Sequence, residues 1–182
     1  MKRKKIHTHK YITDSENVNL LLHYVSNRDL YNLSDGKEIT KVNLDHKDDY
    51  FIFFFLQGGT AKVRIDFKEI EFGKNTVYCT IPGQVHSIIN LSNIKGWFLA
   101  IDAVFIKDKY KEIFNKLKFF SNKIHLSNDN KTELLQCISL ISKKYTSNNE
   151  SMSQSILHDL VSSYIGMIAE IYQKGFPAIK NN

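Results

Sequence analysis

The sequence predicts a mainly β fold, a small antiparallel barrel, followed by two or three C-terminal helices. Within residues 45–90, short apolar or alternating runs are separated by the turn signals Gly58-Gly59, Gly73 and Pro82-Gly83. Short strands at such regular spacing are typical of a sandwich or barrel. After about Phe105, the apolar residues recur at helical spacing instead. The chain is therefore expected to form its strands first and its helices last.

The strands are predicted one by one from apolar runs and turn residues. Residues 17–24 alternate, residues 39–44 form a second candidate, and Ser34-Asp35-Gly36 between them is a turn signal. Residues 51–56 are apolar at every position, which predicts a central strand covered on both faces. Gly58-Gly59 supplies the positive φ angles that a tight hairpin needs. Further strands are predicted at residues 61–65, 70–72, 76–81, 85–89 and 97–102.

Three helices are predicted in the C-terminal part. Residues 106–117 contain a short amphipathic stretch, and Ser127 is a plausible N-cap for a second helix with an apolar stripe. The last helix is predicted from about Ser153 to Gln173, with Gly175 as a stop signal. It carries two apolar rows, more than docking on a barrel requires. It is either sandwiched between the barrel and the preceding helix, or it also buries a face against a second copy of the chain.

Composition and charge exclude several classes of protein. The 182 residues are 42% apolar and 24% charged, as is ordinary for one folded domain. The net charge of +6 includes a basic N-terminus, so residues 1–16 are predicted to be a basic mobile tail. No basic helix with the pattern of a DNA-recognition helix is present.

Cys79 and Cys137 are expected to be free thiols. With no signal peptide and no apolar run near the ~18 residues of a membrane span, we expect a cytoplasmic protein without a membrane partner.

Four residues are the candidate ligand contacts. His46 and His86 each flank a core strand of the same predicted barrel and could converge inside it. Tyr78 offers a donor and an acceptor, and Trp97 offers a flat face on which a sugar or another ring could stack. For each of the four, the alternative is an ordinary side chain that supports the barrel.

Two stretches resemble the motifs of the cupin superfamily. Pro82-Gly83-Gln84-Val85-His86 followed by Asn90 resembles the second motif, and residues 46–52 followed by Gly58 resemble an eroded first motif. This resemblance implies a cupin-like antiparallel double-stranded β-helix, or jelly-roll barrel. Metal-binding members place a second histidine where this chain has Asp48 and a glutamate where it has Ile52. Catalytic metal sites usually need three protein ligands, so we expect no metal, no cofactor and no catalytic residue.

A narrower resemblance covers almost the entire chain. A barrel containing HKDDYFIFFFLQGG and IPGQVHSI, followed by amphipathic helices, resembles the N-terminal regulatory half of AraC-type transcription regulators. The resemblance implies that the barrel, residues 17–105, binds a small-molecule effector, for which a sugar is one candidate. It implies that the helical segment, residues 106–182, forms a homodimer. DNA would be bound by a C-terminal helix-turn-helix domain that is absent from these residues, so we expect an excised regulatory domain. Effector binding would then shift a conformational equilibrium that involves the N-terminal tail.

Two other classes of function stay open. A stand-alone cupin enzyme, an isomerase or dioxygenase, is disfavoured because ligands are missing. Asp48 and Asp49 cannot act as one pair, since adjacent strand residues point to opposite faces. A non-catalytic interaction module would have its interior filled by aromatic side chains such as Phe51, Phe53 and Phe54, leaving no cavity.

Overall fold

The computed structural model describes residues 7–9, 20–26, 45–119, 121–146 and 151–176. These residues form one eight-stranded sheet and three α-helices, so the predicted fold class, mainly β with C-terminal helices, is confirmed. The strands are β1 (His7–His9), β2 (Leu20–Ser26), β3 (His46–Asp48), β4 (Phe51–Ile65), β5 (Lys68–Gly73), β6 (Thr76–Thr80), β7 (Val85–Ile101) and β8 (Lys123–His125). The helices are α1 (Asp108–Asn115), α2 (Asn128–Thr146) and α3 (Ser151–Gly175), with 3₁₀ turns at Ala103–Phe105 and Leu117–Phe119.

The sheet is organised around the two long strands β4 and β7. They pair antiparallel along their whole length, from Phe51 opposite Ile101 to Ile65 opposite His86. The first half of β4 also pairs with β6, and its second half pairs with β5. Strand β7 pairs with β3 at its start and with β2 at its end. Each long strand therefore has one partner on its outer side in its first half and another in its second half. The two halves of the sheet enclose a common interior.

The glycine pair predicted to make a hairpin lies instead inside β4. The pairing register with β7 shifts on both sides of Gly58, as expected for a bulge. Gly59 has φ +79°, and a Cβ there would collide with the backbone of Ser92 and Asn93. The strands predicted at residues 85–89 and 97–102 are likewise one continuous strand, β7. A bulge uses the same positive φ as a hairpin but bends the strand without reversing it.

The two faces of the sheet bury different cores. In β4, Phe51, Phe53 and Phe55 belong to a large core shared with the helices, whereas Leu56 belongs to a smaller core inside the barrel. The prediction that residues 51–56 are covered on both faces is therefore confirmed. The smaller core contains Leu56, Ala61, Val63, Ile65, Phe72, Tyr78 and Ile94.

The helices cover the face of the sheet that carries the large core. Helix α2 begins after Ser127, whose Oγ accepts a hydrogen bond from the Asn130 amide at 3.2 Å, so the predicted N-cap is confirmed. One predicted row of α3 is fully buried: Leu157, Val161, Ile165, Ile168 and Tyr172. Residues of the other row differ in exposure: Tyr164 is buried, whereas Ile156 has 38% of its surface exposed. None of the described helices is long and apolar enough to cross a membrane.

Two strands lie outside the predicted barrel segment of residues 17–105. Strand β1 falls in the predicted mobile tail and pairs in parallel with β3, with His7 opposite His46. Strand β8 falls in the predicted helical segment and pairs with β6, with Ile124 opposite Val77. The turn predicted at residues 34–36 and the strand predicted at 39–44 lie outside the described residues.

Candidate functional site

A cavity of about 650 Å³ occupies the interior of the barrel. Its walls come from strands β2 to β7, and most of the wall is apolar. The principal apolar residues are Ile52, Phe54, Val63, Phe72, Ile94 and Phe98. The polar residues lie mainly on β3, on the loop after it, and at the ends of β6 and β7 that meet them: His46, Asp48, Tyr50, Thr80, His86 and Ser87. A cavity of this size and character is typical of a site for a small organic molecule.

Strand alternation decides which side chains reach this cavity. Three predicted contacts, His46, Tyr78 and His86, line it. Trp97, the fourth predicted contact, is not among the residues that line it: the indole packs against the large core, with the Tyr24 ring at 5.1 Å. Side chains alternate between the two faces of a strand, and Trp97 is two residues from Leu99 on β7. Trp97 therefore lies on the same face as Leu99, which faces the helices.

His46, Asp48 and His86 form a polar cluster in the cavity wall. Pairing of β3 with β7 sets His46 directly opposite His86, and their ring centroids are 4.3 Å apart. Nε2 of His86 lies 3.2 Å from Oδ2 of Asp48, and Nε2 of His46 lies 4.0 Å from the same oxygen. Asp48 is 4% exposed, so its carboxylate is almost fully removed from solvent. The two histidines thus converge as predicted, and Asp48 joins them.

The orientation of His86 is fixed by the chain beside it. Nδ1 of His86 lies 3.1 Å from the carbonyl oxygen of Gln84 and must be the donor, because a carbonyl can only accept. The Gln84 side chain is itself held, since its Oε1 accepts from the Ile81 amide at 3.1 Å and its Nε2 donates to Asp66 at 3.1 Å. Nε2 of His86 is therefore the nitrogen that faces Asp48 and the cavity.

Two tyrosines offer neutral hydroxyl groups to the cavity. Burial raises the pKa of Tyr50 well above its usual range, and the charge of Asp48 and a hydrogen bond with it raise this pKa further. Burial is also the main cause of the raised pKa of Tyr78, whose ring stacks on Phe72 with centroids 4.9 Å apart. Both phenols therefore stay protonated at neutral pH and act as hydrogen-bond donors as well as acceptors.

Thr80 has a buried hydroxyl group close to the cavity wall. The residue is 1% exposed and lines the cavity, and its Oγ1 has no hydrogen-bond partner among the described residues. A buried hydroxyl without a partner is costly, so such groups are uncommon unless they serve a ligand or a water molecule.

The same cluster is the place where a metal ion of the cupin type would be held. One ligand atom each from His46, Asp48 and His86 lies within 4.8 Å of the others, and two imidazoles with one carboxylate are a donor set that metals use. Asp48, which stands where metal-binding cupins place a second histidine, therefore offers the third donor atom. Ile52, in the position of the expected fourth ligand, offers no donor atom. A divalent cation held there would supply Lewis acidity with open coordination positions.

A buried hydrogen-bond network leads from the cavity wall to α3. Asn122 is 5% exposed, and its Nδ2 donates to the Gln84 side chain at 2.9 Å and to the Cys79 carbonyl at 2.7 Å. The carbonyl oxygen of Asn122 accepts from the hydroxyl of Tyr172, on α3, at 2.7 Å. Gln84 thus contacts both His86 and the residue that holds α3. Nothing in the sequence pattern around Asn122 indicates this role.

No protein-family model and no curated protein sequence matches this chain. Solved structures similar to it include AraC-like regulators and cupin proteins. The AraC-like transcriptional activator CuxR aligns at 14% identity and a TM-score of 0.46, over 65% of this chain and 42% of its own. An apo ToxT variant from Vibrio cholerae aligns at 14% identity and a TM-score of 0.49, over 86% of this chain and 58% of its own.

A cupin protein from Bacteroides fragilis aligns at 13% identity and a TM-score of 0.34, over 53% of this chain and 86% of its own. The chain spans 42% and 58% of the length of the two regulators. At these identities the likeness is one of fold.

Proposed function

We propose that this chain is the ligand-sensing part of a transcription regulator and that it binds a small organic molecule inside its barrel. The observation that carries this proposal is the cavity of about 650 Å³, which ends in the cluster of His46, Asp48 and His86. A partner-binding module with a filled interior would lack such a space. The sheet keeps it open because Phe51, Phe53 and Phe55 point toward the helices, away from the barrel interior.

Binding is proposed in preference to catalysis. Asp48 is the one acidic residue among the described residues that line the cavity, and Asp49 is exposed. The described wall therefore has no pair of carboxylates, and its other groups that could exchange a proton with a substrate include the histidines of the cluster.

The network through Asn122 supports a sensing role. A ligand that contacts His86 would also act on Gln84, which holds Asn122 and through it the Tyr172 hydroxyl of α3. A ligand shifts a conformational equilibrium only if it binds one arrangement more tightly than the other. The resemblance to AraC-type regulators adds the expectation that α3 leads toward a DNA-binding domain.

The helices are proposed to form a homodimer. Leu140 on α2 is 52% exposed, and Met152 and Ile156 on α3 are 71% and 38% exposed. Sedimentation velocity tests this: Ile156→Glu should shift the dimer toward monomer, while Val104→Glu, at a 70% exposed site outside the helices, should leave it unchanged. Equal sedimentation of wild type and Ile156→Glu as dimers would refute this part of the proposal.

Ligand binding is tested with the neutral fluorescent probe N-phenyl-1-naphthylamine. Its fluorescence should rise on binding to the wild-type chain. Leu91 lines the cavity and Asn90, the preceding residue on β7, is exposed, so Leu91→Trp should place a larger side chain in the cavity while Asn90→Trp should not. We expect Leu91→Trp to weaken probe binding and Asn90→Trp to leave it unchanged. No binding to wild type, or equal binding to both variants, would refute the proposed cavity site.

A further inference from the structure

The chemistry of the cavity wall restricts what kind of molecule it takes. The described residues of the wall contain the Asp48 carboxylate but no lysine and no arginine. A ligand carboxylate or phosphate would lie near the negative charge of Asp48, and the described wall offers no lysine or arginine to offset the ligand's own charge. A sugar, with hydroxyl groups on all sides, would leave several of them against the apolar walls formed by Ile52, Phe54 and Phe98.

In the cluster of His46, Asp48 and His86, acceptor atoms lie close to one another. Because Nδ1 of His86 donates to the Gln84 carbonyl, Nε2 of a neutral His86 is an acceptor that faces the Asp48 carboxylate at 3.2 Å. His46 approaches the same carboxylate from the other side at 4.0 Å. A positively charged donor beside Asp48 would hydrogen-bond to the one buried carboxylate of the described wall. A primary ammonium group carries three donors and suits such a cluster.

The rest of the cavity points to an apolar, flat body for the same molecule. Phe72 and Tyr78 stack with an interplanar angle of 8°, and both rings line the wall, as does Phe98. Aromatic faces attract a cationic group and also pack well against a ring. A bare metal ion would fit the three ligand atoms but would not account for about 650 Å³ of mainly apolar space beyond them.

We propose that the cavity binds an organic amine: an apolar, preferably aromatic body with a protonated amino group on Asp48, His46 and His86. The inference rests on the proposed function, since it names the class of ligand for the same cavity.

Three compounds with one body and different head groups test this inference. 4-Phenylbutylamine, 4-phenylbutanol and 4-phenylbutyrate are titrated into the wild-type chain by calorimetry, with a chelator present to remove metal ions. A charge-assisted hydrogen bond to a buried carboxylate should make the amine bind at least about tenfold more tightly than the alcohol. The acid should bind most weakly. Asp48→Asn should remove the preference for the amine, and Asp49→Asn, at the exposed neighbouring carboxylate, should keep it.

Several results would overturn the inference. They are tighter or equal binding of the acid, equal binding of the alcohol, no binding of the amine up to its solubility, or a preference that survives in Asp48→Asn. Without chelator, one equivalent of Zn²⁺ bound by the wild type and lost in Asp48→Asn would assign the cluster to a metal and equally overturn the amine. In each of these cases, the proposed cavity function would still hold if N-phenyl-1-naphthylamine binds the wild type and Leu91→Trp weakens that binding. If the probe does not bind the wild type, both the cavity function and the amine inference are refuted.

Discussion

Replacing Thr80 by valine should stabilise the protein, although the residue is almost completely buried. The Oγ1 atom has no partner among the described residues, so folding removes its hydrogen bonds with water without replacing them. An unsatisfied buried hydroxyl costs about 1–3 kcal/mol, and valine has nearly the same shape with a methyl group in its place. Thr80 also lies opposite Ile52 on β4, which provides an apolar neighbour. We expect a gain of about 1 kcal/mol in the free energy of unfolding.

The matched control is a second buried hydroxyl that does have a partner. Ser87 is 3% exposed, and its Oγ donates to the Asp45 carboxylate at 2.8 Å. Ser87→Ala should therefore cost about 1 kcal/mol. Both variants are measured by urea unfolding followed by circular dichroism, where the midpoint should rise for one and fall for the other at an unchanged slope. If Thr80→Val is destabilised by about as much as Ser87→Ala, the Thr80 hydroxyl has a partner and the reasoning is wrong.

Three further predictions follow from the fold. Asn122→Ala should lower the free energy of unfolding by about 1–3 kcal/mol, because the Cys79 carbonyl loses this donor and Oε1 of Gln84 keeps only the Ile81 amide; a loss in urea unfolding well below about 1 kcal/mol would speak against this network. Gly59→Ala should be strongly destabilising, since its positive φ and the nearby β7 backbone leave no room for a Cβ. Gly73→Ala, whose Cβ would make only ordinary contacts, should be mild, and thermal midpoints that rank the two in the opposite order would refute the bulge geometry. Burial raises the pKa values of Tyr50, Tyr78, Tyr164 and Tyr172 in the folded chain above the value of about 10 in the unfolded one. The stability that they contribute is therefore complete below about pH 10 and is lost as the pH rises further. Urea midpoints should stay level from about pH 8 to pH 9.5 and fall as the pH is raised from about 10 to 11, and a midpoint unchanged above pH 10 would contradict the burial of these phenols.

Local sequence patterns predicted the fold class well because they report burial directly. The apolar run at residues 51–56 could only be a strand covered on both faces, and the structure divides it between two cores. The glycine pair at 58–59 was misread because a bulge and a hairpin make the same demand on φ. A bulge is distinguished from a hairpin by how β4 pairs with β7, and this long-range pairing cannot be read from the local sequence.

The candidate site was predictable only in part for the same reason. His46 and His86 meet because β3 pairs with β7, and Asp48 joins them two residues further along β3. Trp97 could have been excluded from its parity with Leu99, had the strand been recognised as continuous. Asn122 lies in no periodic segment, so its link to Tyr172 emerges only from packing.

The location of a bound small molecule tests the central claim most directly. Intermolecular nuclear Overhauser effects can be measured between N-phenyl-1-naphthylamine and the methyl groups of the wild-type chain. We predict contacts to the methyl groups of Ile52, Val63 and Ile94, which line the cavity. Contacts confined to Leu140 and Ile156, on the exposed faces of the helices, would contradict the claim that the barrel interior is the binding site.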